Sequence, residues 1–218
     1  IAILEGDDYW INNSKLEMQV TAFQKDSRIG LVHTDYKILH QESGKISKSP
    51  KINRDRGREL QGANLFLNLI SSSWICAGTI MFKKNVLDQI DFAPFLKNEC
   101  NTVDLIIELQ ALLMYEIKYL PEPTLIYRVS STSISNSSSF KKAEKFADTK
   151  FFIRKFFLEW NNFPPSLIKK ERKKKNSSLF IKAIKTKDMA GIKKYIGKTS
   201  FIGLFIYFQN VLLKKLYR

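Results

Sequence analysis

Ile1-Ala2-Ile3-Leu4-Glu5-Gly6-Asp7-Asp8-Tyr9-Trp10 opens the chain and decides how the rest is read. Ile1 to Leu4, short and apolar without alternation, predicts a buried strand. It ends in three carboxylates around one glycine, followed by two aromatic residues. Like charges packed that closely repel unless a cation sits between them. Carboxylates at a strand end suit a hard divalent cation, which commonly takes a substrate phosphate as a further ligand. Gly-Asp-Asp is also good turn chemistry, so a solvated turn is the plain alternative. There is no initiator Met, and a segment preceding this strand is expected.

Outward from there, Ser14 is placed to cap a helix from Lys15 to about Lys25, with Leu16, Val20 and Phe23 as its apolar stripe. Ile29 to Tyr36 predicts a second strand, buried within a mixed sheet. Residues 40–62 are polar, with Gly44, Pro50, Gly57 and Gly62, and predict a long flexible flap. Helices are expected over Asn64–Ile70, Lys84–Ile90 and Asp104–Tyr115, the last with Leu105, Leu109, Leu112 and Leu113 on one side. Strands are expected over Ile75–Phe82, Ile117–Leu120 and Leu125–Val129, with Pro121 and Pro123 separating the last two. Ser130 to Ser139 holds seven serines in ten residues and reads as a tether.

Beyond the tether the character changes. Phe140 to Trp160 predicts a basic, aromatic-rich helix. Pro164-Pro165 starts a new element, and Lys169 to Lys175 holds six basic residues in seven. Further helices are expected over roughly 177–187 and 188–196. An apolar run from Phe201 to Leu213 is closed by Lys214, Lys215 and Arg218, and falls short of the ~20 residues that span a bilayer.

The charge is as uneven as the pattern. The net charge of +15 hides a division: residues 1–140 carry 15 Lys and Arg against 16 Asp and Glu, whereas residues 141–218 carry 21 against 5. Length and charge together predict a near-neutral domain over 1–138 and a basic helical region over 139–218, the latter with an anionic partner. Cys76 and Cys100 lack metal-site spacing and are too few for a disulfide framework, which points to a reducing, cytoplasmic setting.

Several segments resemble one family. Leu4-Glu5-Gly6-Asp7-Asp8-Tyr9-Trp10, with Lys15-Leu16 and Gln19-Val20, resembles the middle of inverting family 2 glycosyltransferases of the GT-A fold. Gly30 to Tyr36, Thr79 to Lys83, Val103-Asp104-Leu105, Tyr119 to Pro123, and Tyr127-Arg128-Val129 with Ser133-Ile134-Ser135 follow in the family's order over residues 1–137. The resemblance implies an α/β chain with a Rossmann-like mixed sheet, the N-terminal half of the nucleotide-diphospho-sugar transferase fold missing, followed by the basic helices. Glu5 stands where the family has its first Asp, Asp104 is a lone acid where a pair is usual, and Ser130 stands where a His is often found.

The resemblance also implies roles. Asp7 and Asp8 would hold Mg²⁺ or Mn²⁺ and, through it, the donor diphosphate. Asp104 would be the base that deprotonates an acceptor hydroxyl, although an acid there also suits a helix N-terminus, where Thr102 offers another cap. Glu5, Tyr9, Trp10 and Arg128 would face the donor or acceptor, while core packing for the aromatics and a structural ion pair for Arg128 stay open. His33 reads as a core or edge histidine and Cys76 as a small buried hydrophobe.

The implied activity is hexosyl transfer from a nucleotide-diphosphate donor to a saccharide or lipid-linked hydroxyl acceptor, in cell-surface polysaccharide or glycolipid synthesis. The donor's base and ribose would lack their cradle, so this chain alone is expected to be inactive. The basic region suits three readings: attachment to the inner face of the cell membrane, nucleic-acid binding, which its core-like aromatic spacing disfavours, or a solvated bundle. The rival for the whole is a degenerate transferase or a non-catalytic basic module binding membrane or nucleic acid.

Overall fold

A computed structural model describes residues 1–130 and 139–199. Most of the serine tether, the Ser133-Ile134-Ser135 segment and the apolar run from Phe201 lie outside the described residues. The chain divides into two compact units, Ile1–Pro94 with Thr102–Ser130, and Phe95–Asn101 with Ser131–Arg218.

The first unit is mixed α/β. Its centre is β2 (Ile29–His40), whose residues from Ile29 to Asp35 are all buried. β2 pairs in parallel with β5 (Glu116–Val129) and antiparallel with β3 (Lys45–Lys48) and β4 (Met81–Phe82). β1 (Tyr9–Trp10) pairs antiparallel with the far side of β5. Helices α1 (Lys15–Lys25) and α6 (Val103–Met114) pack on β2. α3 (Gly62–Ser72) and α4 (Lys84–Asp88) pack on α6 in turn. Leu31, Val32, Leu69, Ile80, Leu105, Ile106, Leu109 and Leu125 are fully buried in this unit.

Several expectations are corrected here. Ile1 to Leu4 is not a buried strand: it makes one bridge, Ala2 to Met81, and Ile1 and Leu4 are exposed. Residues 40–62 are not a flap but a hairpin to β3, turned at Gly44 with φ 66°, followed by α2 (Lys51–Glu59). Of Ile75–Phe82 only β4 is strand, preceded by a 3-10 turn at Ala77–Thr79. Pro121 and Pro123 do not divide β5. The register against β2 slips between Thr34↔Leu120, Asp35↔Pro123 and Tyr36↔Leu125, so the prolines, which lack an N–H to donate, fall in an irregular stretch of a continuous strand.

α1 has the expected bounds, and Phe23 packs against Ala22, Ile29 and Val32, but the buried stripe is rotated by one residue, about 100°. Leu16 and Val20 are exposed, whereas Lys15, Gln19 and Ala22 are buried. Gln19 Nε2 donates to the carbonyls of Val32 (3.0 Å) and Thr79 (2.9 Å), and its Oε1 accepts from Lys15 Nζ at 2.7 Å. Buried polar groups are tolerated when they are hydrogen-bonded, and this set satisfies two chain carbonyls. In α6, likewise, Leu113 is exposed and Ile106 is buried in its place.

The second unit is helical. α7 (Phe140–Trp160) packs against α8 (Pro165–Thr186), and α8 against α9 (Met189–Tyr195). The basic run forms no break, so the helix expected from about 177 is the second half of α8. Phe95, from α5 (Ala93–Lys97), meets the rings of Phe152, Phe156 and Phe157. A second cluster joins Phe140, Leu179, Phe180, Ala183 and Tyr195. Arg154 and Glu171 form a buried ion pair at 3.4 Å. Among the described residues no helix is long and apolar enough to cross a membrane.

Candidate metal centre

After Glu5 the chain turns, with the Asp8 amide donating to the Glu5 carbonyl at 3.1 Å. β1 then fastens to β5 through Tyr9↔Ile126 and Trp10↔Leu125. That pairing brings Arg128 over the acidic turn. Its backbone N–H donates to Asp8 Oδ1 at 2.9 Å, and its guanidinium Nε donates to the Asp7 carbonyl. Arg128 therefore clamps the turn rather than pairing with a carboxylate through its side chain.

The turn gathers the carboxylates of Glu5, Asp7 and Asp8 within 4.8 Å of one another. Glu5 and Asp7 are exposed, whereas Asp8 is 6% exposed. Asp8 Oδ2 is buried with no hydrogen-bond partner among the described residues. An orphaned buried carboxylate oxygen beside two further carboxylates is the donor set a hard divalent cation takes.

Asp104 stands in the first turn of α6, far from the acidic turn in sequence. Its charge is felt at Glu5, whose carboxyl is held above its ordinary range by burial first, then by Asp104, Asp8 and Asp7. Asp8 is also raised, by burial, with the Arg128 N–H opposing and Asp7 reinforcing. Thr102 stands at the N-cap position of α6 without a side-chain capping bond, and Asp104 lies in the first turn.

The two aromatics differ. Tyr9 is exposed at the site, but Trp10 is held from behind: its indole Nε1 donates to the Gly78 carbonyl at 3.0 Å, and the Lys15 ammonium lies 4.5 Å from its ring centroid. Burial pushes Lys15 down to about 8. Cys76 is half-buried and feels the same charges, which its sequence context did not reveal. Burial pushes its thiol well up, and Asp8, Glu5 and Asp104 add to this. His33 is a core residue, fully buried and pushed down to about 3.

No protein-family model matches the chain, and no curated protein matches it.

Proposed function

We propose that the first unit is part of an inverting GT-A glycosyltransferase that moves a sugar from a nucleotide-diphosphate donor to a hydroxyl acceptor. The observation that carries this is the gathering of Glu5, Asp7 and the orphaned, buried Asp8 on one turn, with the charge of Asp104 felt there. Asp7 and Asp8, with Glu5, would hold Mg²⁺ or Mn²⁺. Such an ion, when bound, neutralises charge on a departing diphosphate. Asp104 is the carboxylate on the α6 side and takes the proton from the acceptor hydroxyl; a single displacement requires one such base and no protein nucleophile. Arg128 keeps the acidic turn in shape, and exposed Tyr9 offers a ring face to a sugar.

Metal binding is the direct test. Mn²⁺ or Mg²⁺ is expected to raise the melting temperature of the chain, and the rise is expected to vanish in Asp7→Asn/Asp8→Asn. A rise that survives in that double variant sinks the reading.

A second reading concerns the helical unit, which we propose attaches to the anionic inner face of the cell membrane. Lys169, Lys170, Arg172, Lys173 and Lys174 are exposed within two turns of α8. Each cation near such a surface contributes about 1 kcal/mol. Co-sedimentation with vesicles containing phosphatidylserine is expected, and is expected to be lost in Lys169→Glu/Lys173→Glu; binding only to nucleic acid would refute it.

A further inference from the structure

A cleft of different chemistry lies in the first unit, lined by His33, Asp35, Arg54, Trp74, Cys76 and Tyr119. Trp74 is 8% exposed, yet its indole N–H finds no acceptor among the described residues. The Tyr119 hydroxyl is likewise buried without a partner there. A buried donor left without an acceptor is costly to the fold. Two of them on one cleft point to something that accepts from both.

The rest of the wall is fixed and polar. Asp35 is buried, and its Oδ1 accepts from Ser49 Oγ (2.5 Å) and from the Tyr36 amide (2.9 Å). Arg54 is tied to Ser49 Oγ at 3.1 Å. The neutral His33 ring stands 4.9 Å from Tyr119 and 5.6 Å from Trp74, centroid to centroid. The Asp35 carboxylate is set against the Arg54 guanidinium, and Arg58 also acts on Tyr119, so a polar group that both accepts and donates suits the cleft. Its enclosed part has room for about one water-sized group, the size of a hydroxyl. α2 closes against Tyr119 through Gly57, where a Cβ would lie 2.7 Å from the ring. Cys76 lines this wall, and its thiol feels the charges of Asp8, Glu5 and Asp104.

We propose that this cleft binds a hydroxyl group of a neutral hexose or N-acetylhexosamine, which accepts from Trp74 Nε1 and the Tyr119 hydroxyl and donates to Asp35. Its meaning as the acceptor subsite rests on the sugar-transfer reading; the binding itself does not.

The indole N–H of Trp74 is the reporter. Two-dimensional ¹H–¹⁵N spectra of the full chain, with the Trp74 signal assigned by Trp74→Phe, are titrated with glucose, galactose and N-acetylglucosamine. The Trp74 signal is expected to move saturably with at least one sugar, while that of Trp160 stays in place. Tyr119→Phe, which keeps the ring, and Asp35→Asn are each expected to weaken the apparent affinity about tenfold, the loss of one buried hydrogen bond. A Trp74 signal unmoved by all three sugars means the cleft holds water only and overturns the proposal. Unchanged affinity in Tyr119→Phe overturns it as well. The Mn²⁺ melting shift is scored separately. Sugar binding without a metal effect upholds the cleft and sinks the transfer reading; a metal effect without sugar binding does the reverse.

Discussion

Replacing Asp8 by Asn reverses sign with metal, and the size of the effect follows from the geometry. The carboxylates of Glu5, Asp7 and Asp8 lie within 4.8 Å of one another. At that distance two unit charges repel by about 1 kcal/mol in water and about 3 kcal/mol at an effective dielectric near 20. Glu5 and Asp7 are exposed, so the lower figure applies to most of each interaction. Asn keeps the oxygen that accepts from the Arg128 amide and removes the orphaned charge. Metal-free Asp8→Asn is therefore expected to be more stable than the parent by about 1–2 kcal/mol. With metal at a hundredfold excess over Kd the parent gains about 2.7 kcal/mol and the variant gains little, so the order inverts.

Urea unfolding in EDTA and then in Mn²⁺ measures both. A Trp160→Phe background confines the fluorescence to Trp10 and Trp74 of the first unit. The pH dependence carries the same sign. Glu5 and Asp8 bind protons more tightly folded than unfolded. The metal-free parent thus gains stability as pH falls from neutral toward their ordinary range, and loses it as pH rises. A variant that is less stable than the parent in EDTA, with an undiminished gain in Mn²⁺, would falsify the account of the acidic turn.

Three further outcomes are expected. Lys15 holds its proton less tightly when folded, so stability should climb as pH rises from about 8 to 10.5, by at most about 3 kcal/mol, and Lys15→Met should flatten that climb in pH-dependent urea titrations. Gly57→Ala places a Cβ 2.7 Å from Tyr119 and should destabilise the first unit by about 1–2 kcal/mol in urea unfolding despite the better helix propensity; a gain in stability would refute the close approach of α2. Arg154→Met leaves Glu171 buried without its cation and should cost about 3 kcal/mol, most of which Arg154→Met/Glu171→Leu should restore in thermal unfolding followed by circular dichroism; equal losses in both variants would refute a buried pair.

What was legible in the chain was local. The bounds of α1 and α7 and the burial of the apolar start of β2 could be read locally, although Ser14 stands at the N-cap of α1 without a side-chain capping bond. The buried face of α1 was not legible, because the carbonyls that accept from Gln19 are those of Val32 and Thr79, brought there only by folding. The continuity of β5 through two prolines depends on β2 accommodating the slipped register, which no local signal encodes. Phe95 belongs with Phe152, Phe156 and Phe157 for the same reason. At the site, the crowding of Glu5, Asp7 and Asp8 could be read from their spacing. The orphaned donors of Trp74 and Tyr119 come together from positions far apart and showed no pattern.

The Arg128 clamp also sets a schedule for synthesis. Asp8 is followed by 120 residue steps before the amide that holds it. A ribosome delivers the acidic turn early and its fastener late, at roughly 5–20 residues per second. For several seconds the nascent chain carries three neighbouring carboxylates with no β5 to fix them. The centre thus acquires its shape only when the last strand of the sheet zips onto β1, which makes its assembly a late event in folding.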